Sequence, residues 1–376
     1  MKKNKLLFVI KSLGIGGVED ELVKIANNIN PSEFELKIIV CKKSKDLRFK
    51  VKNKKVVTFC RQKGIDSFFA ELVFVKKISD NLKPDLVVSF GIYASLLCLL
   101  AKITRSIEAR VCVFVGGVLS DTLSYYPFSL IRRPLCEWLY PNANYFIASS
   151  KAVAQDLSDS FKIKADKIKI VSSSINSKEL ATFVQKRKNR LSKGATKRAK
   201  IVFIGRLVSI KKADLAIDAL ALLRERSTHY YLYTVGNGPS LPELRKKVHS
   251  YKIQDSVKFI TNTNNPWKHL VDADILVLPS DSEGSPKILL EAMYMGVPIV
   301  TTDWPGVEEI IKHNKNGIIV RRGSSGRIAR GIEQIIENPR LREKLTRNSQ
   351  SGVDKYDIGR NIKTYQGIFK RLAKSF

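Results

Sequence analysis

Two carboxylates, Glu283 and Glu291, stand either side of a predicted helix start in ADILVLPSDSEGSPKILLEAMYMGVPIV. A buried strand, Ile275 to Leu278, runs into a polar loop there. Ser285 followed by Pro286 reads as an N-cap and first helical position, and Gly296 ends the helix. The amides and dipole at that helix start, near Pro286 to Ile288, suit an anion. Carboxylates held in place suit vicinal hydroxyls, so one can meet a sugar and the other a ribose. A lone acidic pair on a helix is usually a solvated face, but the flanking strand and the Gly-Pro context argue for a site.

A second constellation is IVFIGRLVSIKKADLAIDAL, where a buried strand ends at Gly205 and releases Arg206 and Lys211 at the C-terminal edge of a sheet. Ligands of open α/β sheets bind at that edge. Two cations there could neutralise a departing diphosphate, although an exposed basic loop reads the same way. The third is GIGGVEDEL, with Gly14, Gly16 and Gly17 before a helix predicted to begin about Glu19. Glycines at such a turn let backbone amides approach a phosphate, or simply make a tight turn. Glu19 stands where the dinucleotide fingerprint needs glycine, which disfavours an NAD site.

Apolar β-branched and aromatic runs alternate with segments of helical length along the chain, the pattern of helices packed on a parallel sheet. Strands are expected at Leu6 to Ile10, Glu35 to Val40, Val56 to Phe59, Leu86 to Ser89, Arg110 to Val115, Tyr145 to Ala148 and Lys169 to Val171. A basic stretch without acidic residues, including Lys186, Arg187, Lys188, Arg190, Lys193 and Lys197, interrupts the rhythm and reads as a linker. Strands resume at Ile201 to Ile204, Tyr231 to Val235, Val257 to Ile260, Ile275 to Leu278, Pro298 to Thr301 and Gly317 to Val320. A final amphipathic helix covers Ile358 to Leu372. The expected division is a domain over 1–180, a linker over 181–200, a second domain over 201–355, and a helix over 356–376 that crosses back to the first domain.

With 376 residues the chain is long enough for two cores. Its net charge of +31 demands a partner that tolerates it, whether anionic lipid, nucleic acid or phosphorylated substrate. No run reaches the roughly 20 apolar residues of a membrane span, and MKKNK before LLFVI reads as a buried first strand rather than a signal peptide. Five scattered cysteines show neither a C-x-x-C pair nor metal-ligand spacing, which suits a reduced, cytoplasmic chain.

Taken together the motifs resemble the family 4 retaining glycosyltransferases (group 1). The resemblance rests on GGVE (Gly16 to Glu19), GRLVSIKK (Gly205 to Lys212), VGNGP (Val235 to Pro239) and the E-x7-E segment from Glu283 to Glu291. It implies the α/β GT-B fold, two Rossmann-like doubly wound parallel-sheet domains with the nucleotide sugar between them. It also implies that Arg206 and Lys211 hold the donor diphosphate, Glu283 the sugar and Glu291 the ribose. Gly205, Gly284, Ser285, Pro286, Lys287 and Ile288 would line sugar and phosphate, Gly16 and Gly17 would approach from the other domain, and Thr261 would face the base. Pro286 brings no amide. Retention by front-face attack needs no metal and no cofactor beyond the nucleoside-diphosphate sugar. The four histidines, His229, His249, His269 and His313, read as surface or structural. Asp121 is the candidate to replace an acceptor-side histidine or acid common in relatives. Departures from the family pattern are Lys212, where glycine is usual, and Ser285-Pro286-Lys287.

The expected reaction moves a hexose or N-acetylhexosamine, from UDP ahead of GDP, to a lipid-linked saccharide, lipopolysaccharide or capsule precursor. LSYYPFSLIRRPLCEWLYP, with Tyr125, Tyr126, Phe128, Arg132, Arg133 and Trp138, mixes basic and aromatic residues as a membrane interface does, though Ile131 to Tyr140 also fits an ordinary packed helix. The expected location is the inner face of the cytoplasmic membrane, peripherally bound to an anionic surface. Alternatives are a GT-B partner subunit with weakened catalysis, a sugar-nucleotide epimerase, which lacks this E-x7-E and GRL pairing, and a nucleic-acid-binding protein suggested by charge alone.

Overall fold

The computed structural model describes residues 3–14, 16–42, 51–60, 68–125, 129–192, 198–263 and 265–374. Tyr126, Phe128, Lys193 and Lys197 lie outside them. The chain divides into two compact units, Met1–Ser173 with Ile358–Phe376, and Ser174–Asp357.

The first unit holds a seven-stranded parallel sheet: β1 (Asn4–Ile10), β2 (Phe34–Val40), β3 (Val57–Phe59), β4 (Leu86–Phe90), β5 (Arg110–Val115), β6 (Tyr145–Ala148) and β7 (Ile168–Ile170). Their spatial order is β3-β2-β1-β4-β5-β6-β7, with Phe8 of β1 beside Ile38 of β2 and Val88 of β4. Because side chains alternate across a strand, Leu7 and Val9 enter one core and Leu6, Phe8 and Ile10 the other. Helices on both faces explain why these strands read as continuous apolar runs.

The second core is completed by the C-terminal helix Ile358–Lys374, whose Ile362, Tyr365, Ile368, Phe369 and Leu372 pack on it. Phe369 meets the ring of Phe8 with centroids 5.8 Å apart. Each such side chain contributes about 2 kcal/mol by burial.

The second unit holds a six-stranded parallel sheet: β8 (Ala199–Ile204), β9 (Tyr230–Val235), β10 (Val257–Ile260), β11 (Ile275–Leu278), β12 (Ile299–Thr302) and β13 (Ile318–Val320), in the order β10-β9-β8-β11-β12-β13. Again the faces alternate, with Val202 and Ile204 in one core and Ile201 and Phe203 in the other.

The basic stretch expected to be a linker over 181–200 is instead mostly the helix Ser177–Ser192, part of the second unit. Its apolar stripe Leu180, Phe183 and Val184 packs on the unit's core. The next residue on that stripe, Arg187, is buried and donates from Nε to Gly296 O at 3.2 Å and from one terminal nitrogen to Val271 O at 2.9 Å and Ala273 O at 2.7 Å. A guanidinium can satisfy several carbonyls at once, so here a cation serves a core. The chain therefore crosses between units at Ser173–Ser174, before this helix rather than after it. Where the second unit begins and ends, Ile175 N–H donates to Tyr356 O at 2.9 Å. Ser177 Oγ donates to Asp357 Oδ2 at 2.5 Å, and its N–H to the same oxygen at 3.2 Å.

Candidate active site

β8 ends at Ile204, and the chain continues through Gly205 and an exposed Arg206 into a short turn at Ser209–Lys211 before the helix Ala213–Arg226. The loop after β9 packs directly on this segment. Gly205 N–H donates to Val235 O at 3.0 Å, and Leu207 N–H to Asn237 O at 2.9 Å. Gly236 has φ +149°, and a Cβ there would lie 1.8 Å from Gly205 O. A Cβ at Gly238 would come within 2.2 Å of Leu207 O. Both glycines of VGNGP are thus required for backbone to lie against backbone.

Lys212 follows with φ +48° and ψ 42°, the left-handed region. A lysine there is disfavoured by roughly 1 kcal/mol. Its ammonium pairs with Asp281 at 3.3 Å, while Asp281 N–H donates to Ile210 O at 2.9 Å. Arg322 adds a bond to Asp281 O at 3.0 Å. These contacts join the loop after β8 to the loop after β11.

That junction places Lys211 on Glu283. Lys211 Nζ lies 2.5 Å from each carboxylate oxygen, and Ser280 Oγ donates to Glu283 Oε1 at 2.7 Å. Thr302 Oγ1, at the end of the neighbouring strand, donates to Ser280 O at 2.5 Å and fixes the loop from below. Glu283 is buried, whereas Lys211 keeps some exposure. An ammonium carries three donors. Two go to Glu283, and among the described residues the third has no acceptor. The exposed Arg206 guanidinium, on the same loop, makes no hydrogen bond or ion pair among the described residues, while its carbonyl accepts from Val208 N–H at 3.0 Å.

The following helix is Lys287–Met295, one residue shorter at its start than the sequence suggested. Pro286 is the N-cap, with φ −69° but ψ 106°, and Ser285 lies one residue before it. Proline's ring sets φ to a helical value yet leaves ψ free, and the extended ψ keeps Pro286 outside. Leu289 N–H reaches back to Pro286 O at 3.0 Å. The helix ends at Gly296, which takes the left-handed φ +70°. Gly284, Ser285 and Pro286 are buried. Glu291, also buried, is met by Lys287 Nζ at 3.6 Å one turn earlier. Thr261 follows β10, next to Ile260, whose carbonyl accepts from Gly236 N–H at 2.9 Å.

The remaining candidates belong to the first unit. The first helix there spans Gly17–Asn28, so it starts at Gly17 rather than near Glu19, and Asp20 N–H bonds Gly16 O at 3.1 Å. Gly16 is extended, but a Cβ on it would meet Glu19 Oε2 at 2.0 Å. Asp121 lies in the first turn of the helix Leu119–Ser124. Asp156 holds the start of that helix, accepting from Leu119 N–H at 2.7 Å and Ser120 N–H at 3.1 Å. Two of the histidines have partners of their own. His313 Nδ1 accepts from Ile319 N–H at 3.0 Å, His229 meets Ser227 Oγ, and burial, then Lys200, lowers the His269 pKa.

Ser280, Asp281, Gly236 and Gly238 had no role assigned from sequence alone. The signal for the glycines was the VGNGP string itself. Asp281 and Ser280 gave none, because their partners lie across a loop contact that no local pattern encodes.

Models of known families cover both halves: "Glycosyl transferases group 1" matches residues 185–352 and "Glycosyltransferase Family 4" matches 15–179. An uncharacterized glycosyltransferase of Haemophilus influenzae is 31% identical over 48% of this chain, and the match spans about half, 51%, of that relative. A Campylobacter jejuni protein named GalNAc-alpha-(1->4)-GalNAc-alpha-(1->3)-diNAcBac-PP-undecaprenol alpha-1,4-N-acetyl-D-galactosaminyltransferase is 23% identical over 94% of this chain and 95% of its own. Among solved structures, Anabaena HepE in complex with UDP-glucose superposes with a TM-score of 0.79 at 19% identity, covering 98% of this chain and 99% of that one. With two parallel-sheet α/β units of this topology and both family models matched, the chain belongs to the family 4, group 1 glycosyltransferases and has the GT-B fold.

Proposed function

We propose that this glycosyltransferase takes a hexose or N-acetylhexosamine from a nucleoside-diphosphate sugar, UDP ahead of GDP. The acceptor is a lipid-linked saccharide, lipopolysaccharide or capsule precursor, and anomeric configuration is retained without a metal ion. The observation that carries the reading is the Lys211–Glu283 pair, with one Lys211 hydrogen left for an outside acceptor and Arg206 exposed on the same loop. Bond cleavage leaves negative charge on the diphosphate, and the Lys211 and Arg206 cations stabilise it as it grows. Glu283, held by Lys211 and Ser280, accepts from sugar hydroxyls. Glu291 accepts from the ribose, and the Lys287 and Ile288 amides at the helix start face the phosphates. The leaving phosphate takes the acceptor proton, so no side-chain nucleophile is assigned. The UDP-glucose complex of HepE and the undecaprenol-linked acceptor in the Campylobacter protein's name support the donor and acceptor classes.

The direct experiment is a thermal-shift screen against UDP, GDP and their sugars, followed by transfer assays with undecaprenol-linked saccharides and NMR of the product anomer. Selective stabilisation by a UDP-sugar and an anomer matching the donor's are expected. An inverted product would refute retention. Absence of both transfer and donor hydrolysis would favour a catalytically silent subunit.

A further inference from the structure

One face of the second unit's sheet carries cations and tyrosines near the start of β8, β9 and β10. Lys200 of β8 is the Cα partner of Tyr231, and Lys258 of β10 is that of Tyr233. Side chains two apart on a strand share a face, so Tyr231 and Tyr233 point the same way, between cations of the neighbouring strands. The Arg198 and Arg224 guanidinium carbons lie 4.8 Å and 5.8 Å from the Tyr231 ring centroid. The Lys200 and Lys258 ammoniums lie 4.3 Å and 6.0 Å from that of Tyr233. Beside them the short helix Trp267–Val271 brings an exposed Lys268 and a half-buried His269. Burial lowers the His269 pKa, Lys200 lowers it further, Asp272 opposes them, and Lys258 and Lys268 add to the lowering. These cations therefore converge on one place. Asp272 stands at its edge, 4.0 Å from Lys200.

The chemistry of the face selects its occupant. Stacking of a nucleobase needs an open aromatic ring, but each of these rings already has two cations over it, which it helps to hold in place. Outward the face offers a row of positive charge: Arg198, Lys258 and Lys268 are exposed, and Lys200 keeps 18% of its side-chain surface. A bilayer needs apolar residues that insert. Among the described residues, no large apolar side chain is exposed on these three strands or on Trp267–Val271. A second copy would set like charge against like. The face is also distinct from the donor residues, since Gly205 and Thr261 follow strand ends while Lys200, Tyr231 and Lys258 are each second in their strand. Along β8, Lys200 and Gly205 are about 16 Å apart.

We infer that this face of β8, β9 and β10, together with Lys268, is a docking site for an anionic polysaccharide. Carboxylate or phosphate groups along the glycan meet Arg198, Lys200, Lys258 and Lys268, and the chain runs across the sheet without entering the donor site. Tethering a glycan here raises the effective concentration of its end at the enzyme. That use rests on the acceptor proposed above, whereas the site and its test do not.

The full chain is titrated, without any sugar nucleotide, against oligogalacturonate, a neutral maltooligosaccharide of equal length, and oligo(dT) of equal charge. The acidic glycan should bind, weaken steeply with added salt, and raise the His269 pKa toward its ordinary value, followed by the imidazole proton resonance. The neutral glycan should not bind. Lys258→Glu with Lys268→Glu should weaken binding roughly tenfold or more. Lys344→Glu with Arg347→Glu, exposed on the helix Pro339–Ser351 and equal in charge change, should leave it nearly unaltered. If the first pair disturbs folding, Lys258→Gln with Lys268→Gln is measured and should give a smaller loss. Equal losses in the two charge-reversed pairs, an unmoved His269 resonance, or no binding by wild type overturns the inference. So does tighter binding of oligo(dT) that the Lys258 and Lys268 substitutions abolish, since the face would then serve a nucleic acid. A chain that binds the acidic glycan yet transfers no sugar to any saccharide sinks the acceptor reading and leaves this one standing.

Discussion

The Lys212 ammonium lies 3.3 Å from an Asp281 carboxylate oxygen, so the residue after Lys211 is tied to the loop that presents Glu283. Lys212 sits in the left-handed region and has some exposure. The pair is worth at most about 1 kcal/mol to stability, similar to what a glycine would regain in backbone strain. Lys212→Gly should therefore melt within a few degrees of wild type. Asp281→Asn keeps the strain, loses the tie, and should raise the KM for the donor several-fold with a smaller change in kcat. If Asp281→Asn and Lys212→Gly/Asp281→Asn behave like wild type in donor KM, the tie does not position Lys211.

Removing either partner of the central pair should cost far more. Lys211→Ala and Glu283→Ala are each expected to lower kcat/KM roughly 10²- to 10³-fold. Lys211→Ala leaves a buried carboxylate without its cation, so it should also melt earlier than Glu283→Gln. Near-normal turnover in either alanine variant contradicts the assigned roles.

Arg187 predicts a stability effect without a catalytic one. Arg187→Met keeps the stem but strands the carbonyls of Val271, Ala273 and Gly296. A denaturant midpoint corresponding to a loss of about 2–4 kcal/mol is expected. A change below 0.5 kcal/mol would show that water replaces the guanidinium.

Transfer should persist after dialysis against EDTA and should not rise when manganese is added. Activity lost to EDTA and restored by manganese is the outcome that overturns a metal-free mechanism.

Burial lowers the His269 pKa below the ordinary 6.5. The unfolded chain then binds this proton first, so stability is complete above pH 6.5 and declines as pH falls toward the folded value. His269→Gln should flatten that part of a plot of melting midpoint against pH. An unchanged slope would assign the acid sensitivity to other groups.

Much of the framework was legible because parallel strands buried on both faces leave unbroken apolar runs, such as Leu6 to Ile10 and Ile275 to Leu278. Charge misled the reading at 181–200, since Arg187 satisfies carbonyls inside a core where composition alone suggests solvent. The N-cap shifted by one residue because proline fixes φ and says nothing of ψ. The pairing of Lys211 with Glu283 was hidden for a different reason. Both residues were candidates, but a 2.5 Å contact across 72 positions depends on loop-to-loop bonds such as Asp281 N–H to Ile210 O, which carry no periodic signal.

Ser177, near the start of the second unit, is bonded to Asp357, its last residue, so that unit is a closed insert in the sequence of the first. A segment whose two ends already touch can be cut out and replaced by another with the same spacing between its ends. Recombination within this family can then trade such inserts as cassettes, with the C-terminal helix left in place to finish the host's own core.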